Sequence, residues 1–163
     1  MRNYIKERVK YLEEHGNFSK LKKYKQHNNY TTFDHCISVA KLSLYLAVKF
    51  HIKIDKDELV TAALLHDYYL YDWHDFTDKT HTFHGFRHGK TASINAVRDY
   101  NINKRQMNAI ERHMFPLTLP PTNRMGIIIT IADKYCAFKE IFVKKQKVLK
   151  NTTYDIPKNR WDT

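Results

Sequence analysis

The chain has 163 residues, 42% of them apolar and 13% aromatic, which is the size of one domain (1–163) with enough apolar material for a real core. No apolar run reaches the ~18 residues of a spanning helix, and the charged start MRNYIKERVK lacks the apolar centre of a signal peptide, so a soluble, cytoplasmic protein without a membrane partner is expected. The formal net charge of +11 favours anionic partners, a phosphate-containing small molecule ahead of nucleic acid because the charge is scattered, and Cys36 and Cys136, in no CxxC pairing, read as buried free thiols.

With only four Gly and four Pro, and apolar residues at helical spacing almost throughout, the fold class reads as all-α. Helices are expected over NYIKERVKYLEEH and FSKLKKYKQH, broken at Gly16-Asn17, and then from about Asp34 to Phe50. Asp55 with Glu58 makes a capping-box pattern that opens the helix leading to His66-Asp67. From Tyr68 to Phe86 the apolar period gives way to aromatics, Asp, Thr and His, which reads as a long ordered loop of the kind that often carries function. A helix follows from about His88 to Tyr100, and Asn103 with Gln106 repeats the capping pattern for one ending near His113. Pro116, Pro120 and Pro121 interrupt the chain before a last long helix, starting near Thr122 or Asn123 and carrying MGIIITIADKYCAFKEIF. Its continuation, KEIFVKKQKVLKN, reads as a solvated basic face.

The stretch TAALLHDYYLYDWHDFTDKT contains His-Asp twice, once at the end of an apolar run and once among polar residues. A charge at the end of a buried run needs a partner. His35, His66, Asp67, His88, His113 and Asp133 all fall in or at the ends of apolar helices, each on its own element except the adjacent pair. Any one of the histidines alone is most simply a hydrogen-bonded core residue, but Asp133, flanked by Ile131, Ala132 and Tyr135, needs a cation. Helices around one core can gather such residues at a point, and a shared metal centre accounts for all six. Imidazoles and carboxylates without thiolate suit Fe, Mn, Co, Ni or Zn.

In order and context these residues resemble the HD superfamily of metal-dependent phosphohydrolases: His35 in TTFDHCISVA, His66-Asp67 in AALLHDYYL and Asp133 in IADKYCA, over about 32–137. The resemblance implies an HD-domain-like helical bundle. His88 in FHGFRHGKTAS and His113 in IERHMFPLT match the two further histidines of members with two metals. It thus implies two divalent transition-metal ions, one held by His35, His66, Asp67 and Asp133, the other by Asp67, His88 and His113, with Asp67 as bridge. Two such cations about 3.5–4 Å apart can share a hydroxide and neutralise the phosphoryl oxygens it attacks. The implied activity is hydrolysis of a phosphoester or phosphoanhydride, with a nucleotide as the expected substrate class and a dinucleoside polyphosphate among the candidates. The glycine-tyrosine-proline motif of the cyclic-dinucleotide subfamily is missing, and Pro116-Leu117-Thr118 follows His113 instead. Two alternatives stand beside this: a one-metal nucleotidase or phosphatase, if His88 and His113 do not ligate, and a non-catalytic basic nucleotide- or nucleic-acid-binding module with a structural metal.

His66 and Asp67 are the expected catalytic core. Arg87, Lys90 and Lys134 adjoin proposed ligands, and Arg87 and Lys134 rank first as phosphate clamps. His84, four residues before His88, is an extra ligand or a proton donor if that turn is helical, and otherwise an outer or exposed histidine. His74-Asp75 reads as loop ahead of a substrate contact, Gln26-His27 as an ordinary helix end ahead of a place in the pocket lining, and Tyr68, Tyr69, Tyr71 and Trp73 as core rather than a stacking platform. HGKT at 88–91 is not a phosphate-binding loop, since His84 stands where the first glycine is required.

Overall fold

A computed structural model describes residues 2–26, 30–74 and 83–142. The fold is all-α: helix α1 (Arg2–His15), a 3-10 segment (Phe18–Lys23), α2 (Thr32–Lys49), α3 (Lys56–Leu65), α4 (His84–Tyr100), α5 (Lys104–Glu111) and α6 (Arg124–Phe142). Among the described residues there is no strand, only an isolated antiparallel bridge between Lys25 and Thr31. No helix among them is long and apolar enough to cross a membrane.

Local chemistry explains where the helices begin. Thr31 caps α2 reciprocally with Asp34: the Thr31 hydroxyl accepts the Asp34 amide, and the Asp34 carboxylate accepts the Thr31 amide at 3.2 Å. The same exchange links Asn103 and Gln106 at the start of α5. At α3 only half of the expected box forms. Asp55 accepts the Glu58 amide, but the Glu58 carboxylate turns to Asn103 Nδ2 at 2.7 Å and Arg105 at 2.8 Å, tying α3 to α5.

The expected second N-terminal helix is a short 3-10 segment instead. Tyr24 is extended and its carbonyl accepts the Thr32 amide, while the Gln26 amide goes to the Tyr30 carbonyl, so the backbone groups of this segment are satisfied outside a helix. Helix α4 starts a turn earlier than expected, at His84, behind Phe83 in the left-handed region (φ 63°) with no side-chain cap. His113 lies just past the end of α5 rather than within it.

Helix α2 is the centre of the bundle, packing chiefly on α3 and α6, while α4 packs on α5 and α5 also meets α3 and α6. Phe33, Ile37, Leu44, Leu59, Leu64, Leu65, Ile110 and Ile129 belong to one continuous buried cluster with Phe18 and Leu21 from the 3-10 segment. Tyr68 and Tyr69 are buried in it or against it. Cys36 and Cys136 are buried and form no disulfide. Gly89 sets the approach of α4 to α5, because a Cβ there would lie 2.8 Å from the Glu111 carbonyl oxygen and 3.1 Å from that of Ile110. Backbone cannot yield as a side-chain tip would, so the missing Cβ is what lets the neighbouring His88 come to α5.

Candidate metal centre

Six polar residues that the sequence scatters over nearly a hundred positions meet at one buried point. His35 comes from the first turn of α2, His66 and Asp67 from just past the end of α3, His88 from the second turn of α4, His113 from the turn after α5 and Asp133 from the middle of α6. All six are buried, His35 and His66 completely.

Their ring orientations are fixed from behind. Nδ1 of His66 donates to the Ala63 carbonyl at 2.8 Å, Nδ1 of His88 to the His84 carbonyl at 2.9 Å and Nδ1 of His113 to the Ile110 carbonyl at 2.7 Å. A carbonyl can only accept, so each Nδ1 carries a proton, and each ring, when neutral, turns an Nε2 lone pair inward. His35 is held from behind by a carboxylate instead, its Nδ1 lying 2.9 Å from Glu140 Oε2. Imidazoles that ligate metals through Nε2 are held in this way.

The inward atoms fall into two connected groups. His35 Nε2 lies 3.0 Å and His66 Nε2 3.6 Å from Asp133 Oδ1, and the two ring nitrogens lie 3.8 and 3.6 Å from Asp67 Oδ2. On the other side His88 Nε2 and His113 Nε2 lie 3.2 and 3.5 Å from Asp67 Oδ1, and 2.9 Å from each other. Asp67 therefore offers one oxygen to each group. Donor atoms of His35, His66 and Asp133, and again of His66, Asp67 and His113, lie within 4.8 Å of one another, a spacing one ion could span. His66 Nε2 and Asp67 Oδ1 are buried without a hydrogen-bond partner among the described residues, as expected of atoms arranged for an ion rather than for each other.

Burial is the largest influence on Asp133 and pushes its carboxyl up, but the adjacent His35 and His66 rings outweigh it and hold the group far below the usual range. Asp67 is also lowered: burial opposes, and the nearby rings of His66, His113 and His88 outweigh it. Burial pushes His35 down, yet Asp133 and Glu140 together raise it well above its ordinary value. His113 is lowered by burial, with Asp67 opposing, so it stays neutral and available as a ligand. Three carboxylates, Asp67, Asp133 and Glu140, thus share a buried site with four imidazoles, and when those rings are neutral the excess is negative and calls for cations. The donor set and its orphaned atoms fit divalent metal.

A cavity of about 220 Å³ opens beside the cluster, lined by Asp67, His88, His113 and Asp133 and, around them, by Gln26, Trp73, His84, Met114 and Lys134. His84 stacks on His88 with ring centroids 4.4 Å apart and on Trp73 at 5.1 Å, and its Nδ1 is 2.9 Å from the Tyr71 hydroxyl. Lys134 lines the cavity, whereas Arg87 and Lys90 are exposed on α4 and are not among the lining residues. His74 is on the surface, 3.4 Å from Asp72 and tilted against the Trp73 ring, and is not part of the cluster; Asp75, His27 and His81 lie outside the described residues.

Two partners of the cluster escape a reading by residue pattern. Glu140 looks like part of the basic face that ends α6, but it stands seven residues after Asp133, almost two full turns, and so shares its buried side. That interval was the available signal. Gln26, expected at an ordinary helix end, donates from Nε2 to Asp67 Oδ2 at 3.0 Å. It lies outside any helix, and no periodicity marks it.

Residues 32–137 match the family model described as HD domain. No curated protein and no solved structure matches the chain.

Proposed function

Because the chain belongs to the HD domain family, whose members are metal-dependent phosphohydrolases, we propose that it cleaves a phosphoester or phosphoanhydride, in a nucleotide, at a centre of two divalent transition-metal ions. The observation that carries this reading is Asp67, whose Oδ2 faces His35 and His66 while its Oδ1 faces His88 and His113. His35, His66, Asp67 and Asp133 would hold one ion and Asp67, His88 and His113 the other. When bound, the metals supply an activated water and neutralise charge on the phosphoryl oxygens.

The chain's own residues do the rest. Lys134, at the cavity wall beside Asp133, binds and orients an anionic phosphoryl group as a point charge. His84 shares that wall with its ring held by Tyr71 and by the stack with Trp73, and from there it delivers a proton to the leaving oxygen. Trp73 and Met114 narrow the cavity and limit water around the reacting group. Arg87, on the exposed side of the same helix turn as His88, serves the rim rather than the floor.

Protein stripped of metal and reloaded in turn with Mn, Fe, Co, Ni or Zn should hydrolyse at least one member of a panel of nucleotides, dinucleotides and simple phosphodiesters. His66→Ala and Asp67→Ala should abolish that activity. A chain that binds metal, turns over nothing in the panel and unfolds when the metal is removed would instead be a binding module with a structural ion.

A further inference from the structure

We propose that Gln26 is a positioning residue of the metal centre: its side-chain amide fixes the plane of the Asp67 carboxylate so that each oxygen serves a different ion. The inference rests on the two-ion reading above and extends it to a residue outside the stretch that matches the HD family, residues 32–137.

The Gln26 amide is assigned by its neighbours. Its Oε1 accepts from the Tyr69 hydroxyl at 2.9 Å and from the Thr32 hydroxyl at 3.2 Å, and these two hydroxyls are 3.1 Å apart. An ionised Asp67 can only accept, so the NH₂ end of the amide must face it, and the oxygen end then receives the two hydroxyls, which can both donate. Nε2 then donates to Asp67 Oδ2 at 3.0 Å. Behind the amide, Thr32 and Tyr69 are buried, and the Gln26 backbone amide is itself held by the Tyr30 carbonyl at 2.9 Å. The whole arm is braced from three sides.

Oδ2 is also the oxygen that faces His35 and His66, while Oδ1 faces His88 and His113. A carboxylate can turn about its last side-chain bond, and a free one could swing both oxygens onto a single ion. A donor that takes one lone pair of Oδ2 in a set direction leaves the other lone pair for one ion and keeps Oδ1 aimed at the second. The Asp67 side chain has no such restraint on its Oδ1, which lacks a hydrogen-bond partner among the described residues. Gln26 thereby converts an aspartate that could chelate one ion into one that bridges two. The segment ahead of the family stretch contributes to the centre through this contact.

The test is a titration of the metal-stripped full chain with Mn(II), followed by electron paramagnetic resonance, which counts bound ions and distinguishes an exchange-coupled pair from isolated ions. Wild type should bind two ions as a coupled pair. Gln26→Leu should weaken the second ion by about ten- to a hundredfold, the usual cost of losing an outer partner of a metal ligand, and lose the coupled signal while keeping the first ion. Tyr69→Phe, which leaves Gln26 in place but frees its amide to turn, should move the same way by a smaller factor, and it decides the matter if Gln26→Leu does not fold. Variants that bind two coupled ions as tightly as wild type overturn the inference and leave the two-ion reading standing, including the case where only KM for a substrate changes. Wild type binding a single ion overturns both.

Discussion

The Nε2 atoms of His88 and His113 face each other at 2.9 Å while each Nδ1 donates to a backbone carbonyl. Two neutral rings in that orientation oppose their lone pairs, and a cation held by them and by Asp67 would relieve that repulsion. Substituting either histidine by Ala should lower the metal content of purified, metal-replete protein from two ions to one, as counted by elemental analysis. His35→Ala should spare the ion on the His88 side. A wild-type content of one ion, unaffected by His88→Ala or His113→Ala, would reduce this half of the centre to buried histidines.

Glu140 supports His35 from the side away from Asp133 and Asp67, at 2.9 Å from Nδ1. Removing it leaves a buried Nδ1–H without its acceptor and frees the ring to turn. Glu140→Ala should weaken metal binding by about ten- to a hundredfold, measured by competition with a chelator, and Glu140→Gln, which keeps an accepting oxygen, should recover much of the loss. Equal loss in both variants would mean that the negative charge of Glu140 matters more than its hydrogen bond.

Lys134 lines the cavity and Arg87 does not. Lys134→Ala should therefore lower kcat/KM on the best phosphate substrate by about ten- to a hundredfold, the scale of one hydrogen bond to a charged group, with both metals retained. Arg87→Ala should cost less. Steady-state kinetics decide the order, and a larger effect at Arg87 would place the phosphate on the α4 side of the opening.

Away from the centre, Asp99 accepts hydrogen bonds from Tyr68 at 2.7 Å, from Arg98 and from Asn17, joining the end of α4 to the start of the 3-10 segment. The hydrogen bond from Arg98 is the main cause of its lowered pKa, with burial opposing and Tyr68 adding to the shift. A carboxyl whose folded-state pKa lies below its unfolded value of about 3.9 contributes its full stability above that value and loses it as pH falls toward the folded-state pKa. Asp99→Asn should thus melt at a lower temperature than wild type at neutral pH, and the gap should close below about pH 4. A gap that stays constant into acid would show that Asp99 acts through shape rather than charge.

Much of the fold was readable because its signals are local. The Asn103 and Gln106 pair announces α5, and the apolar period with a lone Asp133 announces α6. The start of α4 was not readable, since Phe83 at its cap offers no side-chain acceptor and the helix opens on His84-Gly85, neither an N-terminal signal. The segment after Lys23 shows an apolar and basic pattern compatible with a helix, but its backbone groups bond across to Tyr30 and Thr32, a tertiary choice that local propensity does not contain. At the centre, the residues gathered by the bundle were legible from their polarity in apolar surroundings. Gln26 was legible only as the lesser, pocket-lining alternative to a helix end, because no periodicity marks it, and Glu140 only through its seven-residue interval from Asp133.

His35 and Asp133 meet across 98 positions of sequence, and between them the cluster draws on α2, α3, α4 and α6 as well as the turn after α5. An ion held there is also a cross-link. Because an unfolded chain cannot assemble these donors, ion binding belongs to folding, and at a free-metal concentration a hundred times the dissociation constant it adds about 2.7 kcal/mol, a large share of the ~5–15 kcal/mol that holds a domain together. The concentration of free metal would then bear on how long the chain survives proteolysis as well as on whether it turns over substrate.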